Sequence, residues 1–467
     1  MTTSPPSART LAQLKAAHYV VRPVKVEVRS NLIGRLRRGE TLFPGVTGYD
    51  ETVVPQLTNA ILGHQDIILL GERGQAKSRI VRGLIGLLDE WTPTLAGAEI
   101  PENPFAPVTP LGRQIVAEAG DAAEIRWMHR SERYAEKLAT PDITIADLVG
   151  EVDPIKIAEG RYLSDELTLH YGLVPRVNRG IFAINELPDL AERIQVGLLN
   201  LLEERDVQIR GHRVRLDLDV FIVATANPED YTNRGRIITP LKDRYGAQIR
   251  THYPARVDDE IAIVEQEAHV ADVEGLQLAV PRFMKEIIVQ ITHFARRSPD
   301  INQRSGVSVR TSIALYEALV ANALRRALRT GETEVVPRMS DLPYVLPSFQ
   351  GKVEFEATEE GQEDRITQRI LQAAIKTVFD SHYRIQDAKA VAAAFEGDLT
   401  VETAEHAKAA DYADIARKLP GIEQFFPDAD AATQGVRAAI IELVLEGLHV
   451  HKLLNKHEHG GSATYRR

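Results

Sequence analysis

One stretch limits what this chain can fold into more than any other: Ile67-Ile68-Leu69-Leu70-Gly71-Glu72-Arg73-Gly74-Gln75-Ala76-Lys77-Ser78. A short apolar run, right for a buried strand, breaks into a glycine loop, and Lys-Ser then opens a helix. Such loops cradle phosphates with backbone N–H groups, while the Lys reaches the β- and γ-phosphates and the Ser hydroxyl binds Mg²⁺. Residues Gly71, Glu72, Arg73, Gly74, Gln75, Ala76, Lys77 and Ser78 are therefore candidate nucleotide-binding residues, with Ser78 also a candidate metal ligand. The pattern G-x-x-x-x-G-K-[ST] fails at one position, because Ala76 stands where its second glycine is expected. An ordinary strand–turn–helix corner has the same outline, so the rest of the chain decides.

The strands and helices that follow fit a nucleotide-binding α/β domain. The helix after the loop carries Ile80, Val81, Leu84, Ile85 and Leu88 on one stripe. The Pro-rich segment from Pro93 to Pro110 reads as loop, and Gly150, Asp153-Pro154, Gly160 and Gly172 punctuate a turn-rich region. Gly180-Ile181-Phe182-Ala183-Ile184-Asn185-Glu186 reads as a second buried strand ending in polar groups. Open parallel sheets bind ligands at that end. An amphipathic helix over 194–204, a hairpin around Gly211-His212 and a third apolar strand, Val220 to Ala224, come next. Strands alternating with helices imply a parallel sheet with helices on both faces.

From about Asp258 the pattern is helical, over Ile261–Ala268, Arg282–Ala295 and Ser312–Leu328. Residues 351–364 form an acidic, linker-like stretch, and two further helical stripes follow, Ile366 to Val378 and Val436 to Leu448. His449, His451, His457 and His459 read as a helix end and frayed tail rather than a metal site, and Gly460–Arg467 as disordered. The basic run from Arg22 to Arg38 reads as a solvated face.

The chain of 467 residues carries a net charge of −10, so general nucleic-acid binding is not indicated. It has no cysteine, which excludes disulfides and thiolate metal sites. Met1–Ser7 lacks a signal pattern and no apolar run approaches a membrane span, so a cytoplasmic protein is expected.

Ile181–Glu186 resembles a Walker B motif, with Asn185 in place of the Asp that normally holds the Mg²⁺ shell. An Asn carbonyl brings no negative charge, so Mg²⁺ is expected to bind more weakly, and an Asp restored at 185 to raise its affinity. Glu186 is placed to act as base toward water. Asn227, ending Ala224-Thr225-Ala226-Asn227-Pro228, is similar to the sensor 1 residue of AAA+ proteins, which positions that water. Leu241-Lys242-Asp243-Arg244-Tyr245 resembles the family's Leu-x-Asp-Arg-Phe element, which implies that Arg244 is an arginine finger for a neighbouring subunit. A helix-end salt bridge is the plainer reading of Arg244. Arg310, in Val309-Arg310, resembles sensor 2, with Arg304 as a nearby alternative.

The most specific resemblance is longer. Asp147-Leu148-Val149-Gly150, Gly172-Leu173-Val174 and Asn178-Arg179-Gly180-Ile181 run into Asn185-Glu186-Leu187-Pro188 and Leu198-Leu199-Asn200-Leu201-Leu202-Glu203-Glu204. This order is similar to AAA+ ATPases of the magnesium-chelatase subunit I / MoxR branch. The resemblance covers about Gly45 to Leu328. It implies ATP and Mg²⁺ as cofactors, a P-loop NTPase sheet flanked by helices, and then an all-α lid and a helical C-terminal region. The domains expected are an N-terminal extension over 1–40, the ATPase domain with its helix-2 insert over 41–255, the lid over 256–350, and an acidic linker with helical C-terminal region over 351–467. It also implies a ring, a hexamer on family grounds, and a partner carrying a von Willebrand factor A domain. Three functions follow: a motor that remodels or activates a partner protein, the motor subunit of a true magnesium chelatase, and a nucleotide-dependent scaffold with slow turnover, the last motivated by Ala76 and Asn185.

Overall fold

The computed structural model describes residues 4–152, 169–203, 207–209, 212–214, 216–227, 236–270, 272–303, 305–356, 361–397, 399–426 and 432–467. The chain divides into two compact units, Met1–His252 and Tyr253–Arg467.

The first unit begins with two helices, α1 (Leu11–Ala16) and α2 (Val24–Arg37), and continues through α3 (Val53–Leu62) into β1 (Ile67–Leu70) and α4 (Lys77–Gly83). After β2 (Trp91–Leu95), α5 (Pro110–Ala119) and β3 (Ile125–His129) come β4 (Tyr134–Leu138), β5 (Gly150–Val152), β6 (Leu169–Tyr171) and β7 (Gly180–Asn185). Then follow α6 (Glu192–Glu203), β8 (Val207–Ile209), β9 (His212–Val214), β10 (Val220–Ala226), α7 (Thr239–Arg244) and β11 (Ala247–Arg250).

The central sheet has the order β11-β1-β10-β7-β4 and every pairing in it is parallel. Its three inner strands, β1, β10 and β7, are near-continuous apolar runs because helices cover both faces, while the edge strands β4 and β11 carry polar residues. Alternation sorts them. Ile67, Leu69, Ile181, Ala183, Phe221, Val223 and Ile249 pack with α2, α3 and α4. Ile68, Phe182, Ile184, Ile222, Ala224 and Ala226 pack on the opposite face with Ile194 and Leu198 of α6. Strand order reverses around β1, and that is where such a sheet opens a crevice for ligands.

The expected parallel sheet is present, but several local expectations change. Val24, Val28 and Leu32 of α2 belong to the core beneath the sheet, so the segment read as an extension is part of this packing. Its Glu27 is buried against Arg133, which donates to both carboxylate oxygens at 2.7 and 2.8 Å. The Pro-rich loop is partly structured. Pro93 sits in β2 opposite Trp127 of β3, in a two-stranded ribbon where one missing N–H is tolerated. Thr109 accepts from Gly112 N and Pro110 occupies the first turn, so α5 starts where the sequence suggested more loop. The helical stripe after the phosphate loop is α4 to Gly83 and then a 3₁₀ turn, Leu84–Leu87.

Gly150 and Gly172 flank an antiparallel ribbon of β5 and β6, while Asp153-Pro154 and Gly160 lie outside the described residues. The hairpin of β8 and β9 is formed, with Gly211 outside the described residues.

The second unit contains α8 (Val257–Glu267), β12 (Gln277–Leu278), α9 (Arg282–Ala295), α10 (Val309–Thr330) and β13 (Glu334–Val335). It continues with α11 (Gln362–His382), β14 (Val401–Ala404), α12 (Gln434–Val450), β15 (Asn455–His459) and β16 (Ser462–Arg466). Ile287 and Ile291 of α9, Leu319 of α10, Ile370 and Val378 of α11 and Leu443 of α12 share one core. The acidic stretch thus does not separate two packed bodies: Phe355 bridges Ile301, and apolar faces on both sides of the stretch close on each other.

The C-terminal tail also differs from expectation. Gly460 and Gly461, at φ +57 and +84, turn the chain so that β15 and β16 form a hairpin beside β14. Such φ values cost glycine little. The tail histidines have ordinary partners: His449 with the Leu454 carbonyl, His451 with Asp380 and His457 with Arg466. Among the described residues no helix is long and apolar enough to cross a membrane, and no group of His, Cys, Asp and Glu is suited to hold a metal by itself.

Candidate nucleotide site

Strand register assembles the site. Leu70 pairs with Ala226, and Gly71 N donates to Ala226 O at 3.1 Å, so the loop leaves β1 alongside Asn227. Lys77, buried at the start of α4, donates to Asn227 Oδ1 at 2.5 Å and to the Glu72 carbonyl at 2.9 Å. It also donates to the Gly71 carbonyl. An ammonium held by loop carbonyls and the Asn227 amide oxygen can exchange them for phosphate oxygens, which bind it more strongly.

The loop is braced from behind by residues the motif does not include. Tyr49 donates to Gln75 O at 2.9 Å and His252 O at 2.7 Å, and burial pushes its hydroxyl up to about 12. Thr251 donates to Gln75 Oε1 at 2.7 Å, and that oxygen also accepts from Glu72 N at 3.0 Å. The Gln75 side chain, a candidate ligand contact, therefore holds the loop. A Cβ on Gly71 would collide with Thr251 Oγ1 and Gln75 Oε1, so a side chain here would displace the Thr251–Gln75 brace. Ala76 has φ +54 and ψ +13, a left-handed conformation that its methyl group makes costly. Glycine fits the loop at this position for backbone reasons as well as for phosphate approach. No side chain caps α4, and Ser78 is exposed on its first turn.

The other polar strand end comes in from β7. Ile184 pairs with Ala224, which sets Asn185 level with Thr225. Thr225 Oγ1 donates to Asn185 Oδ1 at 3.2 Å and accepts from Glu186 N at 3.2 Å. Glu186 has φ +56, a strained turn for a non-glycine residue at the end of a strand.

Glu136, on β4, was not singled out by its sequence pattern. It pairs in register with Ala183 and so lies diagonal to Asn185 on the α4 side of the sheet. Its carboxylate accepts from Asn185 Nδ2 at 2.5 Å, from Tyr134 at 2.8 Å and from Arg82 Nε at 2.8 Å. Burial alone would raise this carboxyl, but the hydrogen bonds from Arg82, Tyr134 and Asn185 hold it below the ordinary range. Only knowing that β4 pairs with β7 would have marked Glu136.

The Asn178-Arg179 pair is architectural. Asn178 donates to Pro101 O at 2.7 Å, and buried Arg179 donates to Pro93 O at 2.5 Å, while Arg133 donates to the Arg179 carbonyl at 2.8 Å. Burial lowers the Arg179 guanidinium from its usual value, with Arg133 nearby adding to the effect.

The two remaining candidate arginines lie on helices. Arg244 ends α7, donates to Asp243 at 3.1 Å and keeps 36% of its side chain exposed. The following Tyr245 is buried in the core. Arg310 is exposed on the first turn of α10 in the second unit; Arg304 and Pro228 lie outside the described residues.

The oxygen donors present suit Mg²⁺ arriving with phosphates. Ser78 and Asn185 are the candidate ligands, and a cation that keeps waters and phosphate oxygens needs few protein ligands.

A family model described as the Sigma-54 interaction domain matches residues 159–242. The chain is 26% identical over 203 residues to the uncharacterized protein YeaC of Bacillus subtilis (strain 168), covering 40% of this chain and 59% of that protein. It is 27% identical over 232 residues to magnesium-chelatase subunit ChlI of Nostoc sp. (strain PCC 7120), covering 48% of this chain and 58% of that one. The match thus spans less than two thirds of either relative. Among solved structures, one of the complex between subunits BchI and BchD of magnesium chelatase aligns at 18% identity with a TM-score of 0.36, covering 69% of this chain and 98% of that one.

Proposed function

We propose that this chain, which belongs to the AAA+ ATPases of the magnesium-chelatase branch, is an ATP-hydrolysing motor that remodels or activates a partner protein. The observation that carries the reading is the position of Lys77, between loop carbonyls and Asn227 at the C-terminal end of a parallel sheet. In this reading the loop from Gly71 to Ser78 takes the phosphates, and Lys77 shifts from its carbonyl partners onto them. Asn227, released from Lys77, orients a water, and Glu186 accepts its proton. Arg244 serves the site of a neighbouring copy, where it stabilises charge on the transferring phosphoryl group, and Arg310 contacts phosphate from the helical unit. Bound Mg²⁺ would supply charge neutralisation at the phosphates, held through Ser78 and Asn185.

The same reading includes a ring, a hexamer by analogy, a partner with a von Willebrand factor A domain, and a place in the cytoplasm. Likeness to the chelatase subunits supports a ring and a protein partner. The test is ATP turnover by the full chain against its Lys77→Ala variant. Equal rates would remove the motor reading.

A second reading, the motor subunit of a true magnesium chelatase, is favoured by the similarity to ChlI. It requires Mg²⁺ insertion into a porphyrin when a porphyrin-binding subunit is supplied. A third, a scaffold with slow turnover, is favoured by the left-handed Ala76 and by Asn185.

A further inference from the structure

We propose that Glu136 and Asn185 together replace the single aspartate of the site, Glu136 supplying the negative charge and Asn185 the metal-facing oxygen. The inference rests on reading Gly71–Ser78 as a nucleotide–Mg²⁺ site.

A carboxylate has no donor, so the group facing Glu136 must be the Asn185 NH₂. Their contact is 2.5 Å, and it orients the amide. The Asn185 oxygen is thereby directed away from Glu136, and there it accepts from Thr225 at 3.2 Å. Glu136 is thus a positioning residue. Its charge sits one side chain behind the amide oxygen, in a setting where its own side chain is 19% exposed. Partners of this kind raise ligand basicity and fix ligand orientation at metal sites.

Arg82 belongs to the same device. It grips Glu136 through Nε at 2.8 Å and Nη2 at 3.1 Å, yet its side chain is 63% exposed. It neutralises part of the carboxylate charge when no cation is near, and solvent can take it up when one arrives.

The arrangement overturns one expectation from the sequence. An aspartate restored at 185 would meet the Glu136 carboxylate where a donor now stands. Two carboxylates at that separation repel, and one of them is driven to hold a proton. Asn185→Asp alone is therefore not a repair. Moving the charge, with Asn185→Asp and Glu136→Gln together, is.

The experiment measures binding of a non-hydrolysable ATP analogue to the full chain, with Mg²⁺ and with EDTA. Wild type is expected to bind more tightly with Mg²⁺. Glu136→Gln is expected to cut that gain about tenfold and leave the EDTA value unchanged. Asn185→Asp should also lose the gain, and the double variant should recover it. Without nucleotide, Asn185→Asp should lower the melting temperature and Glu136→Gln should restore it. A Mg²⁺ gain that survives Glu136→Gln, or that rises in Asn185→Asp alone, overturns the inference while leaving nucleotide binding intact. Binding that is absent in wild type, or unchanged in Lys77→Ala, overturns the nucleotide reading and this inference with it.

Discussion

Lys77 and Asn227 lie 150 positions apart in the chain, yet Lys77 Nζ reaches Asn227 Oδ1 at 2.5 Å. The contact follows from one parallel pairing, Leu70 with Ala226, which launches both residues from adjacent strand ends. It couples the residue that would meet phosphate to the residue that would meet water.

Breaking this coupling should separate binding from turnover. Asn227→Ala leaves Lys77 its Glu72 and Gly71 carbonyl partners, so ATP affinity should change little. Turnover should fall about 100-fold, the loss typical for removing one preorganised polar group. Parallel binding and steady-state assays check this, and an equal loss in both would assign Asn227 to binding instead.

Ala76 carries backbone strain in the resting loop, at φ +54. Ala76→Gly should stabilise the chain by roughly 0.5–1 kcal/mol, since relief of the left-handed penalty outweighs the added freedom of the unfolded glycine. The same change should tighten ATP binding. Urea denaturation measures the first effect, and Ala76→Val, which adds β-branching at positive φ, should move it in the opposite direction.

The buried pair of Glu27 and Arg133, with side chains 4% and 0% exposed, joins α2 to the sheet. Glu27→Gln should cost about 3–5 kcal/mol, because Arg133 is left charged without a counter-ion in the interior. Replacing both by apolar residues of similar volume should cost much less. Denaturation of the two single variants and the double variant decides whether the pair contributes stability or only becomes costly when halved.

In the second unit, Glu260 accepts from Arg296 at 2.6 and 3.0 Å, from Ser312 at 2.6 Å and from His293 at 3.0 Å. Burial pushes this carboxyl up, but His293 and Arg296 outweigh it and hold it below the usual value. The unfolded chain therefore binds the proton more readily, and stability from Glu260 rises with pH across that window. It should be complete above about pH 4.3 and lost as pH falls through the folded value. Glu260→Gln should cost about 3 kcal/mol at neutral pH, and the difference from wild type should shrink in acid. A gap that stays constant from pH 7 to pH 3 would contradict this assignment.

Much of the nucleotide unit was legible in the chain alone. Ile67–Leu70, Gly180–Asn185 and Val220–Ala226 are strands because strands covered on both faces must be apolar throughout, and that signal is local. The order loop, Asn185-Glu186, Asn227 and Arg244 is local too, as is the helical stripe of Arg282–Ala295. Errors fell where a local rule met a tertiary exception. Pro93 reads as loop until β3 pairs beside it, and the tail after Val450 reads as frayed until β14 takes up its hairpin.

By itself the sequence determined where the three inner strands and the candidate phosphate loop lie, because apolar runs and glycine conformations act over a few residues. Tertiary structure decided which residues answer one another across strands. Glu136 meets Asn185, Thr225 braces Glu186 and Asn185, and Tyr49 backs Gln75 only after parallel strands and their covering helices fix register. Parallel strands are joined by long crossovers, so their neighbours are remote in sequence and no local pattern encodes the pairing. The glycine loop is legible in the chain alone; the carboxylate that Asn185 meets is supplied by the fold.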